Sequence, residues 1–134
     1  MSELSDREKN VVAFETVMAA VNAGDGEVAR PHLDESVQYE APWYSLHIKG
    51  SDDLVRMFGA LGERFASIDY RILAIHPALD PDLLVVEARG DHAVRQSDRR
   101  YQNEYVLFVY FSDGRIVRWI EYSNPEVYKA AVGS

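Results

Sequence analysis

The stretch RYQNEYVLFVYFSDGRIVRWIEYS, residues 100 to 123, decides the fold. Two runs rich in β-branched and aromatic residues flank Asp113 and Gly114. That pair tolerates positive φ and suits the tight turn of a β-hairpin. Period-two patterning marks both runs as strands. In the second strand Val117, Trp119, Glu121 and Ser123 share one face, and Ile116, Arg118, Ile120 and Tyr122 share the other. In the first, Tyr101, Asn103, Tyr105, Leu107 and Val109 alternate with Gln102, Glu104, Val106, Phe108 and Tyr110. The core of this strand, EYVLFVYF, is apolar at nearly every position. An antiparallel strand of that kind is covered on both faces. Helices can supply one cover, and a second copy of the chain is the simplest other, so a homodimer through the outer sheet face is expected.

Upstream, SIDYRILAIH (67 to 76) and LLVVEARGDH (83 to 92) read as two further strands turned by PALDPD. Before them the period is helical. Ser5 and Glu8 form a capping box for a first helix, whose buried face carries Val11, Phe14, Met18 and Val21. Gly24 ends it. A short helix from Glu27 to His32 is disturbed by Pro31. SVQYE is a short strand, APWYSLHIKG a loop, and Ser51 the N-cap of a third helix with Asp52 and Asp53 in its first turn. That helix buries Leu54, Met57, Phe58, Leu61 and Phe65. A helical turn starts at Pro125. The pattern is that of one α+β domain over residues 1 to 134, with three N-terminal helices packed on one face of an antiparallel sheet.

The chain has 134 residues, of which 47% are hydrophobic, enough for a real core. It has no cysteine, which excludes thiolate chemistry and fits a cytoplasmic location. A formal net charge of -8 argues against a nucleic-acid partner. No apolar run is long enough to span a membrane, and the polar start does not read as a signal peptide. GDGEVA, residues 24 to 29, imitates a dinucleotide fingerprint but follows a helix rather than a strand. The four histidines lack metal-ligand spacing. Neither a cofactor nor a metal is expected.

Three segments, MAAVNAGDGEVARPHLDESVQYEAP, IKGSDDLVRMF and YQNEYVLFVYFSDGRIVRWIEYSNPEVY, resemble the nuclear transport factor 2-like superfamily. Within it the likeness is to the SnoaL-like branch of polyketide cyclases and phenazine-biosynthesis A/B proteins. The resemblance implies a cone-shaped curved sheet wrapped on the helices, an apolar pocket inside, and dimerisation on the outer face of the sheet. The groups that serve ketosteroid isomerases would fall at Ala41, Val17 and Leu107, where the chemistry is missing, so that activity is not expected. The phenazine A/B proteins carry a glutamate, an aromatic and then an asparagine on the last strand. EYSN matches and places the glutamate at Glu121, while their histidine on the third helix falls at Met57.

By the same resemblance Trp119, Glu121 and Ser123 line the pocket with Asn103, Tyr105 and Leu107, and Val17, Met57 and Leu61 complete its helical side. Trp43 and Tyr44 are expected as aromatic lining. His47, in the loop at the pocket lip, is the candidate second catalytic group beside Glu121. Burial should raise the Glu121 pKa toward neutrality and suit it to proton transfer next to a carbonyl: isomerisation, dehydration, cyclisation or imine formation. Two readings follow. One is a cofactor-free enzyme acting on a hydrophobic carbonyl or aromatic metabolite. The other is a non-catalytic binding or accessory module with the same pocket.

Overall fold

The computed structural model describes residues 5 to 133. The first helix, α1 (Asp6–Asn22), starts on the capping box: the Glu8 amide donates to Ser5 Oγ at 3.1 Å, and the Ser5 amide donates to Glu8 Oε1 at 3.1 Å. Two otherwise orphaned N–H groups are satisfied this way. Ser5→Ala should therefore cost about 1 kcal/mol of stability, readable by urea denaturation. A short α2 (Gly26–Ala29) and a 3-10 turn (Arg30–His32) lead into β1 (Leu33–Ala41). A second 3-10 turn (Pro42–Tyr44), β2 (Leu46–Lys49) and α3 (Ser51–Arg64) follow. Then come β3 (Phe65–Ser67), β4 (Tyr70–Pro77), β5 (Leu83–Val94), β6 (Arg100–Ser112), β7 (Arg115–Tyr122) and α4 (Pro125–Val132).

The sheet runs in the order β2-β1-β7-β6-β5-β3, with β4 also paired to β5. The hairpin between β6 and β7 turns through Asp113 at φ 50° and Gly114 at φ 78°, the positive values that Asp and Gly adopt most readily. One pairing departs from the expected antiparallel meander. β1 lies parallel to β7, so the sheet is mixed. No hairpin joins these two strands, so nothing forces them to run in opposite directions. The chain also closes with an eight-residue helix, where the sequence announced only a turn.

Three local expectations need correcting. The segment 41–50 is no plain loop: residues 46–49 add a strand to the edge of β1. Ser51 is the first residue of α3 and not its cap. The cap position is Gly50, at φ 90°, a conformation that only glycine takes readily. The alternation along β7 is broken by a bulge. Tyr110 pairs with Arg118 and Phe111 with Ile116, which leaves Val117 as the extra residue. A bulge reverses the side-chain direction of what precedes it. Ile116 is therefore fully buried in the same core as Trp119, not on the face of Arg118.

The core forms where α1 and α3 lie on the inner sheet face. Phe14, Val17, Leu54, Leu84, Val86, Val109 and Ile116 are all completely buried. Polar groups fix the lie of α1. Asn10 Nδ2 donates to the Pro81 carbonyl at 3.2 Å and to Asp82 Oδ1 at 3.1 Å. Asn22 exchanges two hydrogen bonds with the Tyr70 backbone, at 2.8 and 2.9 Å, and so anchors the start of β4. No helix among the described residues is long and apolar enough to cross a membrane.

Candidate active site

The layers do not close completely. Between α1, α3, α4 and the inner sheet face lies a cavity of about 510 Å³. Apolar side chains from every layer form its walls, among them Met18, Phe58, Leu107 and Trp119. Into this apolar surround β7 delivers one carboxyl. Glu121 pairs with Leu107 across the β6–β7 ladder and shares the cavity face with Trp119 and Ser123.

Loss of hydration is the main force on this carboxyl. Burial pushes its pKa up from 4.5 to about 7, tempered by the nearby Tyr39 hydroxyl and Trp119 indole N–H. Both donors are near enough to favour the charged form, yet neither makes a hydrogen bond to it, and Trp119 Nε1 is buried with no hydrogen-bond partner among the described residues. A buried N–H without an acceptor is uncommon in native proteins and marks a position where a further acceptor is favoured. Among the described residues Glu121 is the only acidic group of the cavity interior; Glu63, also on its wall, is exposed.

Most of the remaining polar groups are hydroxyls. Tyr44 and Ser123 are hydrogen-bonded at 2.7 Å. Tyr105 donates to Tyr101 Oη at 3.1 Å. Tyr39, Tyr44, Tyr70 and Tyr105 all have hydroxyl pKa values raised, first by burial and further by the Glu121 charge. They remain neutral hydrogen-bonding groups at any physiological pH. Arg64, at the end of α3, lies over the Tyr128 ring with its guanidinium carbon 5.6 Å from the centroid, and both residues border the cavity.

Of the residues singled out in the sequence, Glu121, Tyr44, Tyr105, Leu107, Trp119, Ser123, Met57 and Leu61 border the cavity. Four do not. His47 is exposed, with Nε2 3.0 Å from Gln38 Oε1 and 3.8 Å from Glu40. The alternation of β2 that brings Leu46 to the cavity turns His47 away from it. Trp43 is 62% exposed and packs edge-on against Tyr122, its ring centroid 5.1 Å away. Val17 is fully buried in the packed core of α1. Asn103 sits behind the wall, where it holds Tyr101.

Residues missed in the sequence are mostly aromatic: Tyr39, Tyr70, Tyr101 and Tyr128 all line the cavity. Tyr39 carried a readable signal, because it alternates with polar neighbours in SVQYE. Tyr70 and Tyr128 carried none, since their direction depends on how β4 and α4 dock. His92 was equally silent. It is fully buried among Phe65, Tyr70 and Tyr101, accepts from the Asp69 amide through Nδ1 at 3.0 Å, and is held neutral by burial, with a pKa lowered to about 4.

Comparison with known proteins agrees with this architecture. The family model of the SnoaL-like domain matches residues 14–119. A Bacillus subtilis protein provisionally described as an isomerase superposes with a TM-score of 0.84 at 23% identity, covering 97% of this chain and 96% of that one. An LEH-like epoxide hydrolase of M. tuberculosis gives a TM-score of 0.77 at 18% identity, with 92% and 89% covered. A phenazine biosynthesis-related protein of Pseudomonas aeruginosa gives 0.77 at 22% identity, with 95% and 86% covered. At such identities the likeness is one of fold. No curated protein matches the chain.

Proposed function

The chain belongs to the SnoaL-like domain family, and from that premise we propose that it is a cofactor-free acid–base enzyme acting on a hydrophobic carbonyl or aromatic metabolite. One observation carries this reading: Glu121, the one carboxyl of the cavity interior among the described residues, is raised to about 7 by burial. Such a group is half ionised near neutral pH, so it can take a proton from carbon and return it to carbon or oxygen. Isomerisation, dehydration and cyclisation need that step, and imine formation needs the same group to move a proton from nitrogen to the departing oxygen. The apolar walls supply affinity for an uncharged molecule, and the tyrosine hydroxyls supply orientation.

Deuterium uptake by aryl ketones in D2O, followed by proton NMR, tests the reading. Glu121 as base requires a rate that rises with pH, reaches half its plateau near pH 7, and depends on the carboxyl. The second reading, a binding module without turnover, draws support from His47 facing solvent, which leaves Glu121 without a second titrating partner. Turnover undiminished in Glu121→Gln would favour a purely shaping role for this side chain.

We also propose a homodimer through the outer sheet face. Trp43 is 62% exposed and packs on Tyr122, Val106 is 38% exposed and pairs with Tyr122, and Phe108 lies against Tyr122 and pairs with Ile120, with Phe108, Ile120 and Tyr122 half-buried. Around this patch the charges are already paired within the chain, Arg118 with Glu40 at 3.0 Å and Arg89 with Glu104 at 3.5 Å. A second copy would then cover apolar area without burying a free charge. Light scattering at low micromolar concentration should give twice the chain mass of 15.2 kDa; the mass of one chain would refute this assembly.

A further inference from the structure

Tyr101 stands out in the cavity wall by its hydrogen bonding. It is 4% exposed, and its ring is clamped between Phe65, stacked at 5.8 Å, Tyr128 at 5.3 Å and His92 at 5.7 Å. Its hydroxyl oxygen accepts twice, from Asn103 Nδ2 at 2.8 Å and from the Tyr105 hydroxyl at 3.1 Å. The Asn103 amide cannot be turned round. Its Oδ1 accepts from the Glu104 amide at 3.0 Å, and its Nδ2 also donates to the Asn124 carbonyl at 3.0 Å. Both donors therefore point at Tyr101, whose own proton is left to turn toward the cavity or toward the neighbouring Tyr44 hydroxyl, which is already paired with Ser123 at 2.7 Å.

From this network we infer that Tyr101 is a prepositioned hydrogen-bond donor for a carbonyl oxygen of the bound molecule. A phenol that accepts two hydrogen bonds is polarised and becomes a better donor. The ring cannot swing away, and the oxygen has little acceptor capacity left, so the ligand atom placed there must itself be an acceptor. The ligand class that fits is a neutral aromatic or alicyclic ketone. The inference rests on the proposed reading of the cavity as a site for an uncharged apolar molecule, and it adds the residue that recognises the oxygen.

Two probes of the same shape separate the possibilities: 2-acetylnaphthalene, and 2-isopropenylnaphthalene with CH2 in place of oxygen. The wild-type protein should bind the ketone about tenfold more tightly than the alkene. The bound ketone should show its C=O stretch at lower frequency than in hydrocarbon solvent. In Tyr101→Phe the ketone advantage and the infrared shift should both disappear, while alkene affinity is unchanged, which also reports that the cavity is intact. Tyr105→Phe removes one polarising bond and should leave a reduced advantage of about threefold. This variant and the wild-type infrared shift decide the matter should Tyr101→Phe fail to fold.

Equal affinity for the two probes in the wild type would overturn the inference. So would a ketone advantage that survives Tyr101→Phe, or one lost in Glu121→Gln instead. Binding of neither probe would contradict it as well, while the acid–base role of Glu121 would still stand or fall on the titration of that carboxyl.

Discussion

Glu121→Gln should raise the stability of the folded chain by about 3 kcal/mol at pH 8 and lower proton-transfer activity by roughly 10²–10⁴-fold. The two effects have one origin. The folded state holds the carboxyl at a pKa of about 7, against 4.5 in an unperturbed setting. Between those two values the folded protein keeps a proton that the unfolded chain has released. Stability contributed by the neutral acid is therefore complete below pH 4.5, falls as pH rises, and is gone above about 7. Glutamine has nearly the same shape and cannot ionise, so it escapes that loss. The gain should be near zero at pH 4 and complete at pH 8, where it should raise the melting temperature by roughly 10 °C. A group that stabilises the protein when removed and abolishes its chemistry when removed is the signature of a residue retained for function. Equal melting curves for the two proteins at pH 8 would show that the carboxyl is comfortably solvated.

Trp119→Ala should destabilise the protein by about 3–5 kcal/mol, a large part of the 5–15 kcal/mol typical of a domain. The indole is 3% exposed and joins three layers at once. Its ring centroid lies 5.5 Å from Phe14 of α1, 6.4 Å from Phe58 of α3 and 6.3 Å from Tyr39 of β1. Truncation removes that apolar area and merges the space left behind with the existing cavity, so little collapse can repair it. Trp119→Phe keeps most of the packing and removes the unpartnered N–H. It should cost much less, about 1 kcal/mol. Urea denaturation of both variants decides the case, and a loss below about 1 kcal/mol for alanine would mean that the three layers are held together elsewhere.

The hairpin and its flanking strands were legible in the sequence because period two and an Asp–Gly turn are local signals. That Trp119, Glu121 and Ser123 share one face was legible too, because they lie beyond the bulge at Val117 and alternate regularly, but which face meets the cavity followed only from the family resemblance. Ile116 was misplaced because a bulge depends on the pairing register and leaves no mark in composition. The parallel pairing of β1 with β7 is likewise a long-range choice, and nothing in SVQYE specifies the partner strand. His47 failed for a related reason. A loop residue at position 47 would be free to face inward, but the short edge strand β2 fixes its side chain outward. Of the tyrosine cluster only Tyr44 and Tyr105 were read as pocket lining; Tyr70, Tyr101 and Tyr128 come from β4, β6 and α4, which only the docked fold brings together. Asn103 illustrates the same limit: its face was read correctly, but its role as a support behind Tyr101 emerges from distances alone.

The proton affinity of one side chain is the quantity on which the proposed acid–base role and the pH-dependent stability both turn. A carbon-13 NMR titration of the side-chain carboxyl resonances, with the Glu121 signal assigned by its absence in Glu121→Gln, measures it directly. A midpoint near 7 is the predicted result. A midpoint near 4.5, the value of an ordinary glutamate, would contradict the account.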